Sequence, residues 1–415
     1  VVIVQERDVH FNVNNVLIAH WNRMFLGIYV FEMGNMFYEF IFRDNYLCRL
    51  MSLVGICLLI YSFICVPKRL PFSKNPGICI IAILYICVSL ITIFRGVLQS
   101  KIGDLIISPQ YFWQYVLPFA VFLKIPRNYF EILYKWCLIY VITALCFCIY
   151  NFQDFYIDAT AIVNSMVGWE SYVLNRPQIP CQLALPMCIY FFSWKNINNV
   201  GKMIIVVTFI LALCAALFAG RRSVAASLLF FVLISIIIYL RRKKMKFLFL
   251  MLLFLSLFYI KMDYLLETLE DTFVVLFDRI DADTRSGVED DFFRDFTGVE
   301  EWLFGRGMDG TYRSPSVAEL DTMNRRGIET GYLNIILHGG LFLLFPYIII
   351  LLYSVINNVA RRKDSYFSLS VIVYIIFHFV WLYPSGTPKL NLEYFVLWNF
   401  IAISYLTPDY FNKDC

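Results

Sequence analysis

The sequence predicts an all-α, polytopic membrane protein, and three observations carry that prediction. Of 415 residues, 60% are hydrophobic and 16% charged, where soluble domains run at roughly 45–50% apolar and about 25% charged. The mean hydropathy is +0.68. Apolar runs long enough to span a bilayer recur along the whole chain. A cytosolic enzyme or a secreted domain is excluded on these grounds. The formal net charge of +4 is too small for a nucleic-acid-binding surface, which needs a concentrated basic footprint.

A span needs about 20 mostly apolar residues. Twelve segments answer to that: 22–42, 47–66, 78–98, 111–124, 130–150, 181–194, 203–219, 224–240, 247–263, 331–356, 367–384 and 393–406. The first, fourth, sixth and last are the least apolar or the shortest. Short loops rich in Lys and Arg stay on the cytoplasmic side. Basic clusters occur at Lys68, Arg69 and Lys74, at Lys124 and Arg127, at Lys195 and Lys202, at Arg241–Lys246, and at Arg361–Lys363. Twelve spans put every one of them on the same face, so both termini are expected in the cytoplasm. The chain is then a single integral membrane domain, 1–415. Its outer loops are 99–110, 151–180, the tight turn 220–223, 264–330 and 385–392. No internal repeat is visible, which argues against a carrier built from matching halves.

The 12 cysteines, at 48, 57, 65, 79, 87, 137, 146, 148, 181, 188, 214 and 415, almost all lie in or beside apolar runs, where cysteine acts as a small hydrophobe. No pairing at zinc spacing and no disulfide framework is evident. The first twenty residues, which begin with Val rather than Met, mix charges with short apolar pieces and do not read as a signal peptide.

The longest polar stretch, 264–330, lies between the ninth and tenth spans. It holds seven arginines (Arg279, Arg285, Arg294, Arg306, Arg313, Arg325 and Arg326) and no lysine. Arginine's planar fork grips phosphate and carboxylate oxygens in a bidentate way that lysine does not match. The plainer account is a translocated loop whose arginines pair with nearby acids. Leu266, Leu269, Phe273, Val274 and Phe277 recur at helical spacing, as do Phe292, Phe296, Val299 and Leu303. Two amphipathic helices at the membrane interface are predicted. The segment WLFGRGMDG (302–310) then breaks the helix, and its glycines would let backbone N–H groups approach a ligand.

Charges at the rims of spans sharpen the reading. Arg221 and Arg222 sit in a tight outer turn between two apolar runs. They read as a pyrophosphate anchor or as snorkelling side chains. Glu329 directly precedes the span that begins at Gly331, where an acid also suits the helix dipole. His338 lies within that span beside Gly339 and Gly340, a setting for close packing as much as for chemistry. His378 reads as part of a polar network. Aromatic residues of the outer loops (Tyr156, Trp169, Tyr172, Trp302, Tyr312) suit sugar stacking or interfacial anchoring.

The order of GRRS (220–223), the basic RRKKMK (241–246), a long loop with Arg285 and LFGRG (303–307), and ETGYLNIILHGGLFLL (329–344) resembles the O-antigen polymerase and O-antigen ligase superfamily of bacterial envelope glycosyltransferases. The similarity covers roughly residues 200–360. It implies a GT-C-like membrane enzyme of the bacterial inner membrane, metal-independent and without a cofactor, with its site facing outward. The implied partners are undecaprenyl-pyrophosphate-linked oligosaccharides, the lipid bilayer and a chain-length regulator protein. Carried over by position, Arg221 or its neighbour Arg222 matches the short-turn arginine, Arg285 the arginine early in the large loop, and Arg294 with Gly305 an R-x10-G spacing. Ligases carry a histidine where this chain has Glu329, a departure that favours a repeat-unit polymerase.

The expected catalytic group is Glu329, Arg221 and Arg285, with Arg222, Arg294, Arg306, His338 and Arg176 (in loop 151–180) binding pyrophosphate or glycan. The competing readings are a ligase, a lipid-linked oligosaccharide flippase and a structural subunit without chemistry. The topology is open to a direct check. Single cysteines at Asp104, Ser165, Glu300 and Pro388 are expected to react with an impermeant thiol reagent added from outside; reaction only from the cytoplasmic side overturns it.

Overall fold

Hydrocarbon offers no partner for backbone N–H and C=O groups, so apolar runs satisfy them internally as helices. The computed structural model describes residues 2–38, 46–69, 76–97, 108, 112–150, 198–218, 225–231, 286–315, 324–360, 366–383 and 388–405. The chain is mostly helical. Its described elements are α1 (Val2–Met36), α2 (Tyr46–Cys65), α3 (Pro76–Val97), α4 (Phe112–Val116) with the 3₁₀ turn Leu117–Phe122, α5 (Tyr129–Tyr150) and α6 (Asn199–Phe218). They continue with α7 (Ser286–Asp295), α8 (Val299–Phe304), β1 (Tyr312–Arg313), β2 (Asn324–Arg325), α9 (Gly331–Ala360), α10 (Tyr366–Trp381) and α11 (Leu392–Ser404).

Among the described residues, four helices are long and apolar enough to cross a membrane: Tyr46–Cys65, Pro76–Gly96, Tyr129–Cys146 and Gly331–Ala360. The expected spans 181–194 and 247–263 and most of 224–240 lie outside the described residues, as do nearly all of loops 99–110 and 151–180, the turn 220–223 and residues 264–285. Two compact units are present, Val1–Ile132 with Asp283–Cys415, and Leu133–Ala282. In the second, Asn198 accepts the Gly201 N–H at 2.8 Å and so caps α6.

In the first unit, α1 and α2 form a close pair. A Cβ at Gly27 would stand 2.8 Å from the Gly55 carbonyl oxygen, so only small residues let these backbones approach. Ser52 bonds across the same seam to Asn35 at 3.2 Å. Fully buried Trp21 donates to the Lys124 carbonyl at 3.0 Å and packs edge-on against Tyr129. Tyr85, Tyr347 and Trp398 tie α3, α9 and α11 together with ring centroids 5.6–5.8 Å apart. A two-residue antiparallel pairing, Tyr312 with Arg325 and Arg313 with Asn324, is the β structure of the described residues.

Three elements depart from expectation. The first helix starts at Val2 rather than near residue 22 and is helical through Met36. The expected span 111–124 is α-helical only to Val116, because Pro118 lacks an N–H and its ring collides with the preceding turn. The second amphipathic helix of the long loop is two pieces, α7 and α8, parted by residues 296–298.

The tenth expected span, α9, is sharply broken. Gly340 takes φ 66° and ψ −169°, which interrupts the i→i−4 ladder and strips two carbonyls of their helical donors. Residues 306 and 307 supply replacements: Arg306 N–H donates to Leu337 O at 2.7 Å and Gly307 N–H to His338 O at 2.9 Å. The contact leaves no room for side chains. A Cβ on Gly340 would collide with the Leu303 carbonyl, and one on Gly305 (φ 66°) with that of His338. On the other side, Met308 N–H donates to Thr92 O at 3.0 Å and Arg95 donates to Phe304 O at 2.7 Å. The turn is therefore wedged between α3 and α9.

Gly340→Ala is expected to lower the thermal midpoint of the purified protein by the equivalent of at least about 2 kcal/mol, from the left-handed backbone and the overpacking together. Gly77→Ala, with nothing within 4 Å of the added Cβ, is the matched comparison. It should leave the midpoint unchanged or raise it by up to about 1 kcal/mol.

Candidate functional site

The residues 286–330 that are described build a small cap on the start of α9. Its core is aromatic: Phe292 stacks on Phe296 at 4.7 Å, and Trp302 and Tyr312 meet Phe292 edge-on at 6.1 and 5.6 Å. Asp291 and Asp295 are one helical turn apart on α7, and both turn toward the β1 segment. Asp291 accepts from Ser314 at 3.1 Å, and Asp295 accepts from the Arg313 N–H at 3.1 Å. Glu289 accepts from Thr330, one residue ahead of α9. Asn334 accepts the Ile328 N–H at 3.3 Å, and the first N–H of α9, at Gly331, donates to Leu382 O at 2.7 Å. The first free donor of the α9 N-terminus is thus met by a neighbouring segment.

Arg306 is the centre of the cap. Its Nε donates to Glu301 at 3.0 Å, one terminal nitrogen to Asp295 Oδ2 at 2.5 Å and to Thr311 O at 2.7 Å, and the other to Asp295 O at 2.8 Å. Its guanidinium lies 5.0 Å from the Phe296 ring centroid. Burial opposes its charge, but the hydrogen bonds and charges of Glu301 and Asp295 outweigh that and raise its pKa above the ordinary value. These donors close the cap on itself. The glycine turn behaves the same way: the N–H groups of 305, 306, 307, 308 and 310 all donate to protein carbonyls. The expectation of a backbone cradle for a ligand at 302–310 is corrected accordingly, because those donors are spent on α3, α8, α9 and the turn itself.

A second cluster surrounds the buried Tyr312. Burial raises its phenol above the ordinary pKa; the charge of Arg325 and a hydrogen bond with Ser314 pull it down, and the charges of Asp291 and Glu329 push it up. Glu329 and Arg325 are therefore both within electrostatic reach of the Tyr312 phenol. Glu329 is exposed and Arg325 half-buried. Beside them, Arg326 lies 3.3 Å from Asp309.

Of the residues expected at the site, Glu329 stands exposed beside this cluster. Arg294 is exposed at the end of α7. His338 is buried at the α9 break, where its backbone carbonyl serves the glycine turn, and its Nδ1 meets no hydrogen-bond partner. Arg176, Arg221, Arg222 and Arg285 lie outside the described residues. Among the described residues, no three His, Cys, Asp or Glu side chains are grouped to hold a metal ion, and eight cysteines are free thiols.

Two features escaped the sequence reading. Arg95, the sole charge of α3, pins the cap to that helix; its isolation in an apolar run was the available signal. Glu393, the sole charge of α11, lies 3.7 Å from His378 Nε2, with side-chain exposures of 11% and 2%. Tyr374 donates to the Glu393 carbonyl at 3.0 Å, and Asn391 caps α11 through the Tyr394 N–H at 2.8 Å. Searches against protein-family models, curated proteins and solved structures found no match to the chain.

Because Arg306 holds the cap closed, Arg306→Gln is expected to cost about 2 kcal/mol, as a lost set of charge-assisted hydrogen bonds does. It should expose the 286–315 segment to limited proteolysis. Full resistance to protease in this variant would remove the clamp role and return Arg306 to the set of ligand-binding candidates.

Proposed function

We propose that this protein is a repeat-unit polymerase, joining undecaprenyl-pyrophosphate-linked oligosaccharides into a surface polysaccharide at the outer face of the bacterial inner membrane. The observation that best supports the reading is the cap. The described part of the long arginine-bearing loop is folded and bonded to the α9 break, with exposed Glu329 just ahead of that helix and both Glu329 and Arg325 within electrostatic reach of Tyr312. A site for a lipid-borne anion requires such fixed charge at a membrane rim, where preorganised dipoles and cations are most effective.

In this reading an acceptor sugar hydroxyl attacks the anomeric carbon of the donor. The new C–O bond forms as the anomeric carbon–oxygen bond to pyrophosphate breaks, and lipid pyrophosphate leaves with the electron pair. The hydroxyl proton passes to the Glu329 carboxylate. Arg221 and Arg285 stabilise the pyrophosphate, aided by Arg222. Arg325 takes the supporting place first given to Arg306, whose donors are occupied. Arg294 and Arg176 are left to contact the glycan.

The buried His378–Glu393 pair favours a second reading, a lipid-linked oligosaccharide transporter, because ionisable groups at membrane depth often mark transport paths. Glycan profiles of a deletion strain carrying the wild-type gene, Arg221→Ala or Glu329→Gln separate the readings. Polymerase activity predicts single repeat units on the acceptor in the deletion strain, and a ladder restored by wild type alone. Glu329→Gln protein should accumulate normally while polymerisation falls about 10²–10⁴-fold. Long polymer retained on undecaprenyl pyrophosphate with none on the final acceptor indicates a ligase, and units held on the cytoplasmic face indicate transport.

A further inference from the structure

The loop after α2 and the loop before α5 are knitted together. Lys68 pairs with Leu123 as an isolated β-bridge, Arg69 N–H donates to Phe122 O at 2.6 Å and Lys124 N–H to Pro67 O at 2.9 Å. Four cations, Lys68, Arg69, Lys124 and Arg127, are gathered there, all exposed. Carboxylates are sparse around them: there is none in residues 46–97 or 112–128, and the nearest in sequence, Glu131, accepts from Asn128 at 3.5 Å. Lys68 is occupied, its ammonium folded back on the carbonyls of Phe63, Ile64 and Val66 at the end of α2. Arg69, Lys124 and Arg127 have no side-chain partner among the described residues.

Directly beneath them runs a groove of about 410 Å³, lined by Phe63, Ile83, Ile86, Phe119 and Phe122 with Lys68 and Arg69 at its lip. That volume lies in the range of small-molecule sites, roughly 300–1,000 Å³. The groove is continuous with the apolar faces that α2 and α3 leave uncovered, where Ile60, Ile64, Ile80 and Ile83 are all exposed, Ile83 by 49%. Such a face in a membrane-spanning helix is covered by lipid chains. An apolar trough with unpaired cations at one end matches an amphiphile with an acidic head.

We propose that this groove is a binding site for an anionic phospholipid, with an acyl chain along Phe63, Ile83 and Phe119 and the headgroup phosphate held by Arg69 and Lys124. The site is separate from the cap and does not depend on the polymerase reading. Basic groups near a membrane surface attract anionic lipid with an energy equivalent to about fivefold in affinity each, and the groove adds selection for an attached chain.

The test uses the full chain in mixed vesicles of phosphatidylglycerol and phosphatidylcholine, followed by quantification of the lipid retained on purification. Wild type is expected to enrich phosphatidylglycerol. Arg69→Gln with Lys124→Gln should reduce that enrichment roughly twentyfold. Ile83→Trp, which fills the groove and keeps every charge, should reduce it as well, while Arg361→Gln with Arg362→Gln retains it. Enrichment that survives the loss of both cations overturns the proposal, as does full enrichment in Ile83→Trp, which would mean diffuse surface attraction. Displacement of the lipid by excess inorganic phosphate also overturns it, because the site would then read phosphate alone. Should Ile83→Trp fail to fold, a photoreactive phenylalanine at position 83 gives the second measurement. Cross-linking to phosphatidylglycerol that disappears with Arg69→Gln and Lys124→Gln supports the site, and cross-linking that persists counts against it.

Discussion

A buried helix that breaks must find new partners for the carbonyls it frees, and the arrangement around α9 follows from that requirement. Gly340 ends the regular ladder, and the buried residues Leu337 and His338 are left with carbonyls that have no helical donor. The donors come from Arg306 and Gly307, more than thirty residues earlier in the chain. Because these bonds are obligatory, the segment carrying them cannot drift. Everything attached to it, from the aromatic core of the cap to the Arg306 clamp, inherits that fixed position. The short separation also explains why glycine occupies both faces of the contact: a side chain on either would hold the two backbones apart and leave the carbonyls bare.

Much of the helical architecture was legible in the sequence, because burying backbone in lipid demands about 20 apolar residues and few other patterns satisfy it. The expected limits of α2, α3, α5 and α6 fall within a few residues of those observed. Local chemistry explained the failure at 111–124 only in retrospect, through Pro118. The glycines at 305, 307 and 310 were visible, but their use was not. A sequence records that backbone can come close at those positions, and it does not record what comes close. The same limit applies to Arg306: its spacing from Asp295 and Glu301 becomes an ion-pair network only after α7 and α8 fold back on one another.

The cap also separates two roles that look identical in composition. Arginines with their donors used internally, such as Arg306, hold shape. Arg325 instead pairs with Tyr312 across the short antiparallel segment and lowers the pKa of that phenol through its charge. Among the acids, Asp291, Asp295 and Glu289 are tied into β1 or the start of α9; Glu329 is solvent-exposed. An arginine-rich loop is therefore partly scaffold, and the division follows from which carboxylates share its helix faces.

One further consequence concerns α11. All thirteen of its residues are buried, and they include Glu393, Asn399 and Ser404. At 1.5 Å per residue it is about 20 Å long, short of the roughly 30 Å hydrocarbon layer. Such a segment gains little from lipid on its own; Ser404 and Glu393 find partners in α9 and α10, while the Asn399 amide is buried with no hydrogen-bond partner among the described residues. It is also the last described helix to leave the ribosome. Until it arrives, Asn357 and Asn358 of α9 and His378 of α10 lack the partners that it brings.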